Sequence, residues 1–308
     1  MRRKWVRRTL AAFAIVLALF VGALWWLFYD SGPTPSGRFP LDLTAIRAEA
    51  SRLPGAAPER IEVEIVSHSA VPRIAMASGT NWAKVDLVRA SYRLVAPGHS
   101  LIVDSGYDAA GARSAKVDSF DPVARAHILA ALDVADGVIV THEHGDHLGG
   151  ITTSPHLARL LPHLWLTREQ LASASGPPWP AGVARPQALV YDGLRAIAPG
   201  VVLIKAPGHT PGSQMVYVRL ASGREYLFMG DTASLLDNVR LQHQRSHYVT
   251  RFISGDDRAA VAAQLQAIGA LHRQAPDLVL VPGHDGPTIA ELIAQGALVA
   301  GFREGAAK

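Results

Sequence analysis

Residues 138–150 read VIVTHEHGDHLGG, a stretch that changes abruptly from apolar to polar. Its β-branched start at 138–140 predicts a short buried strand, and the glycine pair at its end lets the backbone turn away. Between them lie three histidines and one aspartate: His142, His144, His147 and Asp146. A loop after a buried strand is held rigidly, and neutral imidazole is the commonest metal ligand among side chains. The stretch therefore predicts a metal site.

Three later stretches repeat the pattern of an apolar run followed by a side chain that can bind a metal. They are VVLIKAPGHTPG at 201–212, LFMGD at 227–231 and LVLVPGH at 278–284, which supply His209, Asp231 and His284. Because strands deliver the loops that follow them to the edge of a sheet, all seven candidate ligands can converge at one edge.

The pattern H-x-H-x-D-H, with a later His, Asp and His, resembles the signature of the metallo-β-lactamase superfamily. The resemblance covers roughly residues 60–296 and rests on four motifs in the family's order. It implies an α/β fold, the four-layer αββα sandwich, and two metal sites. The resemblance assigns the first metal ion to His142, His144 and His209. It assigns the second to Asp146, His147 and His284, with Asp231 bridging the two ions.

Ligation by nitrogen and oxygen atoms alone, with many imidazoles, suits zinc best. We therefore expect two Zn²⁺ ions per chain, with iron, manganese or mixed occupancy as the alternatives. Two metal ions about 3.5–4 Å apart lower the pKa of a bridging water to ~7, and the resulting hydroxide attacks an electrophilic carbonyl or phosphorus. Asp146 is the candidate catalytic residue, because it is expected to contact both the second metal ion and this water and to orient or shuttle the proton.

Two further residues are expected to support the ligands without binding metal. Asp104 ends the apolar run at 101–103 and resembles a strand-end Asp of the family, and Thr210 is expected to hold the loop after His209 in place. Substrate contacts are predicted for aromatic and imidazole side chains in three loops: Trp82, Trp179, His243, His247 and Tyr248. For the two tryptophans the alternative is packing against the rest of the domain.

The first thirty residues predict a transmembrane helix. Five cations precede a charge-free run at 9–29, which as a helix is about 31 Å long and spans a ~30 Å hydrocarbon core. Aromatic residues at 25–29 suit the membrane interface. The alternative is a signal peptide cleaved after Val-Gly-Ala at 21–23, but the apolar run continues past that point and favours an uncleaved signal anchor. The cations stay in the cytoplasm, so the protein is expected to be single-pass with its catalytic domain on the extracytoplasmic, periplasmic side.

Outside this anchor the chain is formally neutral. Removing the five cations from 30 Lys and Arg, and Asp30 from 26 Asp and Glu, leaves 25 residues of each sign in residues 31–308. A protein that binds nucleic acid is expected to carry a basic face, so no nucleic-acid partner is predicted. The chain has no cysteine, which excludes disulfides and thiolate metal ligands. No oligomeric state follows from the sequence.

The predicted organisation is one domain behind a short linker. Residues 1–30 form the basic tip and the anchor, residues 31–59 a linker and lead-in, and residues 60–308 the hydrolase domain. Strands are predicted at 61–66, 86–95, 101–104, 164–166, 201–205, 214–220 and 225–229. Helices are predicted at 122–133 after Asp121, at 257–273 and from 287 onward. Mixed strands and helices indicate a layered α/β structure.

Asp231 bears on the choice of reaction. By resemblance, true β-lactamases generally lack a bridging Asp, whereas the lactonase and glyoxalase II branches carry one. Glyoxalase II acts on cytosolic glutathione thioesters, and this domain is expected to be exported. The sequence therefore favours a metal-dependent hydrolase of a small-molecule carboxylic ester or lactone. The alternatives are a phosphodiesterase acting on lipid-like substrates, a β-lactam hydrolase, and a metal-binding or redox module without hydrolysis.

Overall fold

The computed structural model describes residues 2–35 and 37–302 of the chain. Three parts of the predicted domains lie outside the described residues: residue 1, Ser36 of the linker, and residues 303–308. The helices are α1 (Arg2–Phe28), α2 (Leu43–Ala50), α3 (Arg73–Met76), α4 (Ala109–Ser114), α5 (Pro122–Val134), α6 (Gly145–Thr152), α7 (Leu157–Leu160), α8 (Arg168–Ala172), α9 (Leu236–Leu241), α10 (His247–Val249), α11 (Arg258–Gln274) and α12 (Gly286–Ala294).

The strands form two sheets. They are β1 (Arg60–Pro72), β2 (Lys84–Ala96), β3 (His99–Val103), β4 (Ser119–Phe120), β5 (Gly137–Ile139), β6 (Leu194–Ala198), β7 (Val201–Lys205), β8 (Gln214–Arg219), β9 (Glu225–Phe228), β10 (Val279–Val281) and β11 (Val299–Ala300). The first sheet has the order β11-β1-β2-β3-β5, with β4 paired to β1, and the second has the order β10-β9-β8-β7-β6.

The core lies between the two sheets and beneath the helices that cover them. Strand β7 is apolar from Val201 to Ile204 because both of its faces are buried there: Val201 and Leu203 belong to the core between the sheets, whereas Val202 and Ile204 belong to the core under the helices. A strand buried on both faces needs apolar side chains at every position, since successive side chains point to opposite faces. The layer order is helix, sheet, sheet, helix.

Helices cover the outer face of each sheet. Ile128 of α5 packs with Ile102 of the first sheet, and Ile46 of α2 packs with Leu265 of α11 on the second sheet. Part of the predicted lead-in at 31–59 therefore belongs to the outer helical layer. The predicted αββα sandwich is confirmed.

Helix caps predicted from the sequence are present. The side chain of Asp121 accepts hydrogen bonds from the amides of Val123 and Ala124, and Pro122 occupies the first turn of α5. The predicted strand at 164–166 is wrong, because this segment makes only the single bridge between Val138 and Leu164 before the chain turns into α8.

Helix α1 stands apart from the core. It spans Arg2–Phe28, none of its described residues is buried, and it is long and apolar enough to be a candidate membrane span. Only its carboxyl-terminal end, with the residues just after it, contacts the domain through α10 and the loop before β2.

Candidate metal centre

The candidate ligands follow the ends of strands, in loops or, for Asp146 and His147, in the first turn of α6. Strands β7, β9 and β10 run in the same direction, since β8 is antiparallel to β7 and β9 while β10 is parallel to β9. Their carboxyl ends therefore meet at one edge and present three of the candidate ligands, His209, Asp231 and His284. The other four follow β5 in the first sheet, whose edge adjoins the same space.

A close backbone approach brings the last histidine into place. An added Cβ at Gly283 would lie 2.5 Å from Asp231 Oδ1 and 2.9 Å from the carbonyl oxygen of Gly230. Only glycine fits here without displacing these atoms, and the residue that follows is His284.

Three imidazoles form the first cluster. His144 Nδ1 lies 3.1 Å from His142 Nε2 and 2.9 Å from His209 Nε2. Ligand atoms at ~2.0–2.1 Å from a tetrahedral zinc ion are about 3.4 Å from one another. The three nitrogen atoms thus have nearly the spacing that one zinc ion requires.

The second cluster contains Asp146, His147 and His284. Asp146 Oδ2 lies 3.5 Å from His284 Nε2, and Asp146 Oδ1 lies 3.8 Å from His147 Nε2. His147 Nε2 is buried and makes no hydrogen bond to any described residue. A buried nitrogen left without a partner is costly unless another group, such as a metal ion, binds it.

Asp231 presents one carboxylate oxygen to each cluster. Its Oδ2 lies 3.4 Å from His209 Nε2, and its Oδ1 lies 2.9 Å from His284 Nε2. This is the arrangement that the sequence analysis expected for a carboxylate that bridges two metal ions.

Three of the candidate ligand imidazoles are oriented through their other ring nitrogen. His147 Nδ1 lies 2.9 Å from a carboxylate oxygen of Asp104, and His209 Nδ1 lies 3.0 Å from one of Asp256. His284 Nδ1 donates to the carbonyl oxygen of Val88 at 2.8 Å. In each case Nδ1 is tied to the protein and Nε2 faces the centre, as in many metal sites whose ligands are fixed by hydrogen bonds.

The charges of the centre favour a bound cation. Burial acts to lower the pKa of His147, but the carboxylates of Asp104, Asp146 and Asp231 outweigh it and raise that pKa to about 9. Burial, with neighbouring imidazoles, lowers the pKa of His144 to about 4. The centre thus combines a neutral imidazole, which a metal ion requires, with carboxylates that attract positive charge. The donor atoms and charges of these clusters are of the kind that bind metal ions.

The sequence model of the metallo-beta-lactamase superfamily matches residues 86–284, which is more than half of the chain and includes all seven clustered residues. The chain belongs to the metallo-beta-lactamase superfamily. The family inferred from the motif spacing is thereby confirmed. A comparison with curated protein sequences finds no significant match.

Solved structures of this superfamily share the fold. An N-acyl homoserine lactone hydrolase, with the product N-hexanoyl-L-homoserine bound at its catalytic metal centre, is 16% identical, with a TM-score of 0.61 over 76% of this chain and 96% of its own. A quorum-quenching N-acyl homoserine lactone lactonase is 16% identical, with a TM-score of 0.60 over 75% and 94%. A probable metal-dependent hydrolase from Staphylococcus aureus is 14% identical, with a TM-score of 0.54 over 74% and 90%. At these identities the likeness establishes the fold alone.

Asp104 follows β3 and connects the segment after β5 to a candidate metal ligand by hydrogen bonds. Its backbone has a φ of 60°, a left-handed conformation that Asp adopts more readily than most residues. One carboxylate oxygen accepts a hydrogen bond from the amide of Thr141 at 2.7 Å, while the other faces His147. Asp104 therefore contacts the imidazole of a candidate ligand and lies behind it, as the sequence analysis expected.

Replacement of Asp104 by asparagine is expected to weaken zinc binding about 10–100-fold. If the amide oxygen still accepts from Thr141, the amide nitrogen faces His147 Nδ1 and favours the tautomer that protonates Nε2, the atom facing the centre. The measurement is a competition titration with a chromophoric chelator. The control is Asp133→Asn, which alters a carboxylate paired with His156 Nδ1 at 2.6 Å away from the centre. Equal affinities of the two variants would contradict this role of Asp104.

Thr210 and Glu143 tie two metal-binding loops together. Thr210 Oγ1 donates to Glu143 Oε2 at 2.7 Å, and the amide of Gly212 donates to Glu143 Oε1 at 3.3 Å. Glu143 lies between two candidate ligands in the sequence, but its side chain is fully buried and turned to the loop after His209. Thr210 thus fixes loop geometry, in keeping with the expectation from the sequence.

The sequence analysis did not identify Asp256 or the role of Arg245. The Arg245 guanidinium is 4% exposed and lies 2.8 Å from Asp231 Oδ2 and 2.8 Å from Asp256 Oδ2. Arg245 therefore links Asp231, the candidate bridging ligand, to Asp256, whose carboxylate orients His209. Neither residue belongs to a motif, and both come from the irregular segment between α9 and α11, so no spacing rule could locate them.

A cavity of about 480 Å³ opens onto the centre. One wall is apolar and includes Val71, Met76 and Leu87. The polar side chains on its surface other than the candidate ligands and Arg245 include Arg89 and Tyr107. The cavity can therefore hold a small molecule with a polar head near the metal-binding residues and an apolar remainder against this wall.

Of the five predicted substrate contacts, Tyr248 lines this cavity. The structure places the other four elsewhere. Trp82 and His247 contact the end of α1, and His243 Nδ1 donates to the carbonyl oxygen of Ser78 at 2.7 Å. Trp179 packs under the first sheet's helices and donates to the carbonyl oxygen of Val183 at 3.2 Å. These four side chains are engaged in packing and in backbone hydrogen bonds, so the structure does not support their contact with substrate.

Proposed function

We propose that the protein is a dinuclear metal-dependent hydrolase that cleaves a small carboxylic ester or lactone. The superfamily contains metal-dependent hydrolases, and its members bind metal ions. The observation that carries the proposal is the carboxylate of Asp231, whose two oxygen atoms face two separate ligand clusters at the base of a cavity.

The proposed ligands are those predicted from the sequence. His142, His144 and His209 would hold one zinc ion, and Asp146, His147 and His284 the other, with Asp231 between them. When bound, two such ions polarise a carbonyl group and lower the pKa of a coordinated water.

Asp146 is the residue proposed to orient the attacking water or to shuttle its proton. Burial acts to raise the pKa of Asp146, but His147, His284 and Arg89 outweigh it and lower that pKa to about 2. The carboxylate is therefore ionised at neutral pH. Its position on the cavity surface lets it orient the attacking water by accepting a hydrogen bond, or shuttle the water's proton.

Tyr107 is the proposed hydrogen-bond donor to the substrate's carbonyl oxygen or leaving group. Its ring lies 5.9 Å from the Arg89 guanidinium on the cavity surface, and burial raises the pKa of its hydroxyl. Tyr107 therefore stays protonated at neutral pH and can donate a hydrogen bond to the carbonyl oxygen or to the leaving alkoxide. Its place on the cavity wall supports this role.

The ligand bound to a protein of the same fold supports a lactone or ester as the first candidate. The N-acyl homoserine lactone hydrolase of the same fold carries N-hexanoyl-L-homoserine at its metal centre. A lipid-like phosphodiester is the second candidate, because the apolar wall of the cavity would accept its acyl portion.

A panel of five kinds of substrate tests the reaction. Full-length protein loaded with zinc is expected to show its highest kcat/KM for an aryl ester or a lactone, compared with a thioester, a phosphodiester and a β-lactam. His144→Ala should lose both bound metal and activity, which ties turnover to the centre. Faster turnover of the β-lactam or the phosphodiester would replace the proposed substrate class, and no turnover of any substrate would favour a non-hydrolytic module.

We also propose that α1 is an uncleaved single-pass anchor with the catalytic domain on the periplasmic side. The exposure of its apolar side chains and the cations at its start support this orientation. A label at Phe13, in the middle of the span, tests the anchor in the experiment that closes the next section.

A further inference from the structure

The end of α1 is docked on the domain through stacked rings. The ring of Trp26 stacks on His247 with centroids 4.2 Å apart and planes 22° apart. His247 Nε2 also lies 2.6 Å from Asp30 Oδ2, directly beyond the helix. The position of the helix end relative to α10 is therefore set by ring packing and by a hydrogen bond between His247 and Asp30.

A second group of rings extends this contact. Phe28 lies 4.9 Å from Trp82 and 5.8 Å from Tyr248, measured between ring centroids. The indole of Trp82 donates to the hydroxyl of Tyr29 at 3.2 Å, and the amide of Gly79 donates to the carbonyl oxygen of Phe28 at 2.9 Å. Tyrosine and tryptophan are enriched where a span meets the headgroup region. These contacts therefore hold the domain's aromatic side chains at the level of the membrane interface.

The segment after Tyr248 presents two large apolar side chains to the exterior. Phe252 is 67% exposed and Ile253 is 68% exposed, more than any other large apolar side chain described outside α1. The Phe252 ring lies 6.1 Å from the Tyr248 ring. One intervening ring thus separates Phe252 from Phe28 at the end of the span.

The segment's backbone displays these side chains. Residues Thr250–Ser254 form a short π-helical turn, which ends at Gly255 with a left-handed φ of 76°. Arg251 in the same turn is exposed as well. Exposed apolar side chains beside a cation match the boundary between acyl chains and anionic headgroups.

We propose that residues 248–253 form a second membrane contact, with Phe252 and Ile253 inserted into the headgroup region of the bilayer that α1 crosses. The inference rests on the proposed anchoring of α1. Its occupant is the lipid surface and not a second protein, because the patch is continuous with the end of a candidate membrane span. An apolar patch placed beside a span by direct ring contacts meets lipid before it meets any soluble partner.

This contact decides where the cavity opens. Tyr248, Val249 and Ile253 belong to the proposed membrane contact and also line the cavity above the metal-binding residues. The mouth of the cavity therefore lies at the bilayer surface. A substrate with an apolar tail could enter it from the lipid without passing through bulk water.

Single-cysteine labels test the contact, because the chain has no cysteine of its own. The variants are Phe252→Cys, Ile253→Cys, the mid-span Phe13→Cys, and Val190→Cys, whose side chain is 65% exposed before β6. Full-length proteins carry an environment-sensitive fluorophore in vesicles of phosphatidylcholine and phosphatidylglycerol. Quenching is measured with nitroxide-labelled lipid and with aqueous iodide.

Labels at 252 and 253 are expected to be quenched by the lipid nitroxide at least ~3-fold more than the label at 190, with the reverse order for iodide. If 252 and 253 behave like 190 while 13 is quenched by lipid, the second contact is overturned and the anchor stands. If 13 is not quenched by lipid, both proposals fail. Protection of 252 and 253 from both quenchers would show that protein covers the patch, and this result also overturns the lipid contact.

Discussion

Replacement of Asp231 by serine is expected to leave about one bound metal ion per chain and to lower kcat at least ~10²-fold. The two oxygen atoms of this carboxylate lie 3.4 Å from His209 Nε2 and 2.9 Å from His284 Nε2. A bridging carboxylate offsets the repulsion between two dications, and serine supplies neither the charge nor the second oxygen. The second cluster should suffer more than the first, because three imidazoles remain in the first.

Elemental analysis after zinc loading and desalting measures the metal content, and ester or lactone turnover measures kcat. The matched control is Asp133→Ser, which removes a carboxylate paired with His156 at a distance from the centre and should keep two ions and full activity. Two bound ions and undiminished turnover in Asp231→Ser would show that Asp231 is not a ligand. The argument against a β-lactamase would fail with it.

Replacement of Arg245 by methionine is expected to destabilise the domain by about 3–5 kcal/mol, the usual cost of removing one partner from a buried charged group. The guanidinium lies 2.8 Å from each of the carboxylates of Asp231 and Asp256, and it also donates to Ser234 Oγ at 2.7 Å. Methionine fills much of the volume but leaves both buried carboxylates without their cation. At about 2–4 °C per kcal/mol, Tm should fall by roughly 10 °C.

Thermal unfolding of full-length protein in detergent, followed by circular dichroism after treatment with a chelator, measures this change. Zinc loading should recover part of the lost stability, since bound dications supply positive charge to Asp231. Arg240→Met is the control, because Arg240 is exposed on α9 and its loss should change stability by less than about 0.5 kcal/mol. A Tm equal to that of the control would mean that Arg245 does not stabilise the two carboxylates.

Local patterns were enough to predict much of the fold. The apolar run of β7 is fully buried up to Ile204, and the Asp121-Pro122 pair begins α5 as expected. Both depend on neighbours in the sequence: side-chain alternation along a strand and hydrogen bonds within one helical turn. The segment at 164–166 failed because a strand needs a partner at the right register, and this partner comes from elsewhere in the chain.

The same distinction applies to the metal centre. The sequence by itself determined the candidate ligands, because four follow the apolar run of β5 and one each follows β7, β9 and β10, and the fold brings the ends of these strands together. Only the tertiary structure decided what surrounds them. Asp256 contacts His209 across 47 positions, and Arg245 pairs both with Asp256 and with Asp231, which precedes α9. Such contacts leave no periodic trace, since the path of a loop is set by the core on which it packs.

The contacts of the aromatic and imidazole side chains near the centre also depend on the tertiary structure. Trp82 and His247 suggested substrate contacts, yet their rings lie against Phe28 and Trp26 at the end of α1. From the sequence alone, the apolar helix and the hydrolase domain were separate units joined by a linker. Their relative position depends on which rings meet in three dimensions, and stacking between residues more than fifty positions apart has no counterpart in local sequence.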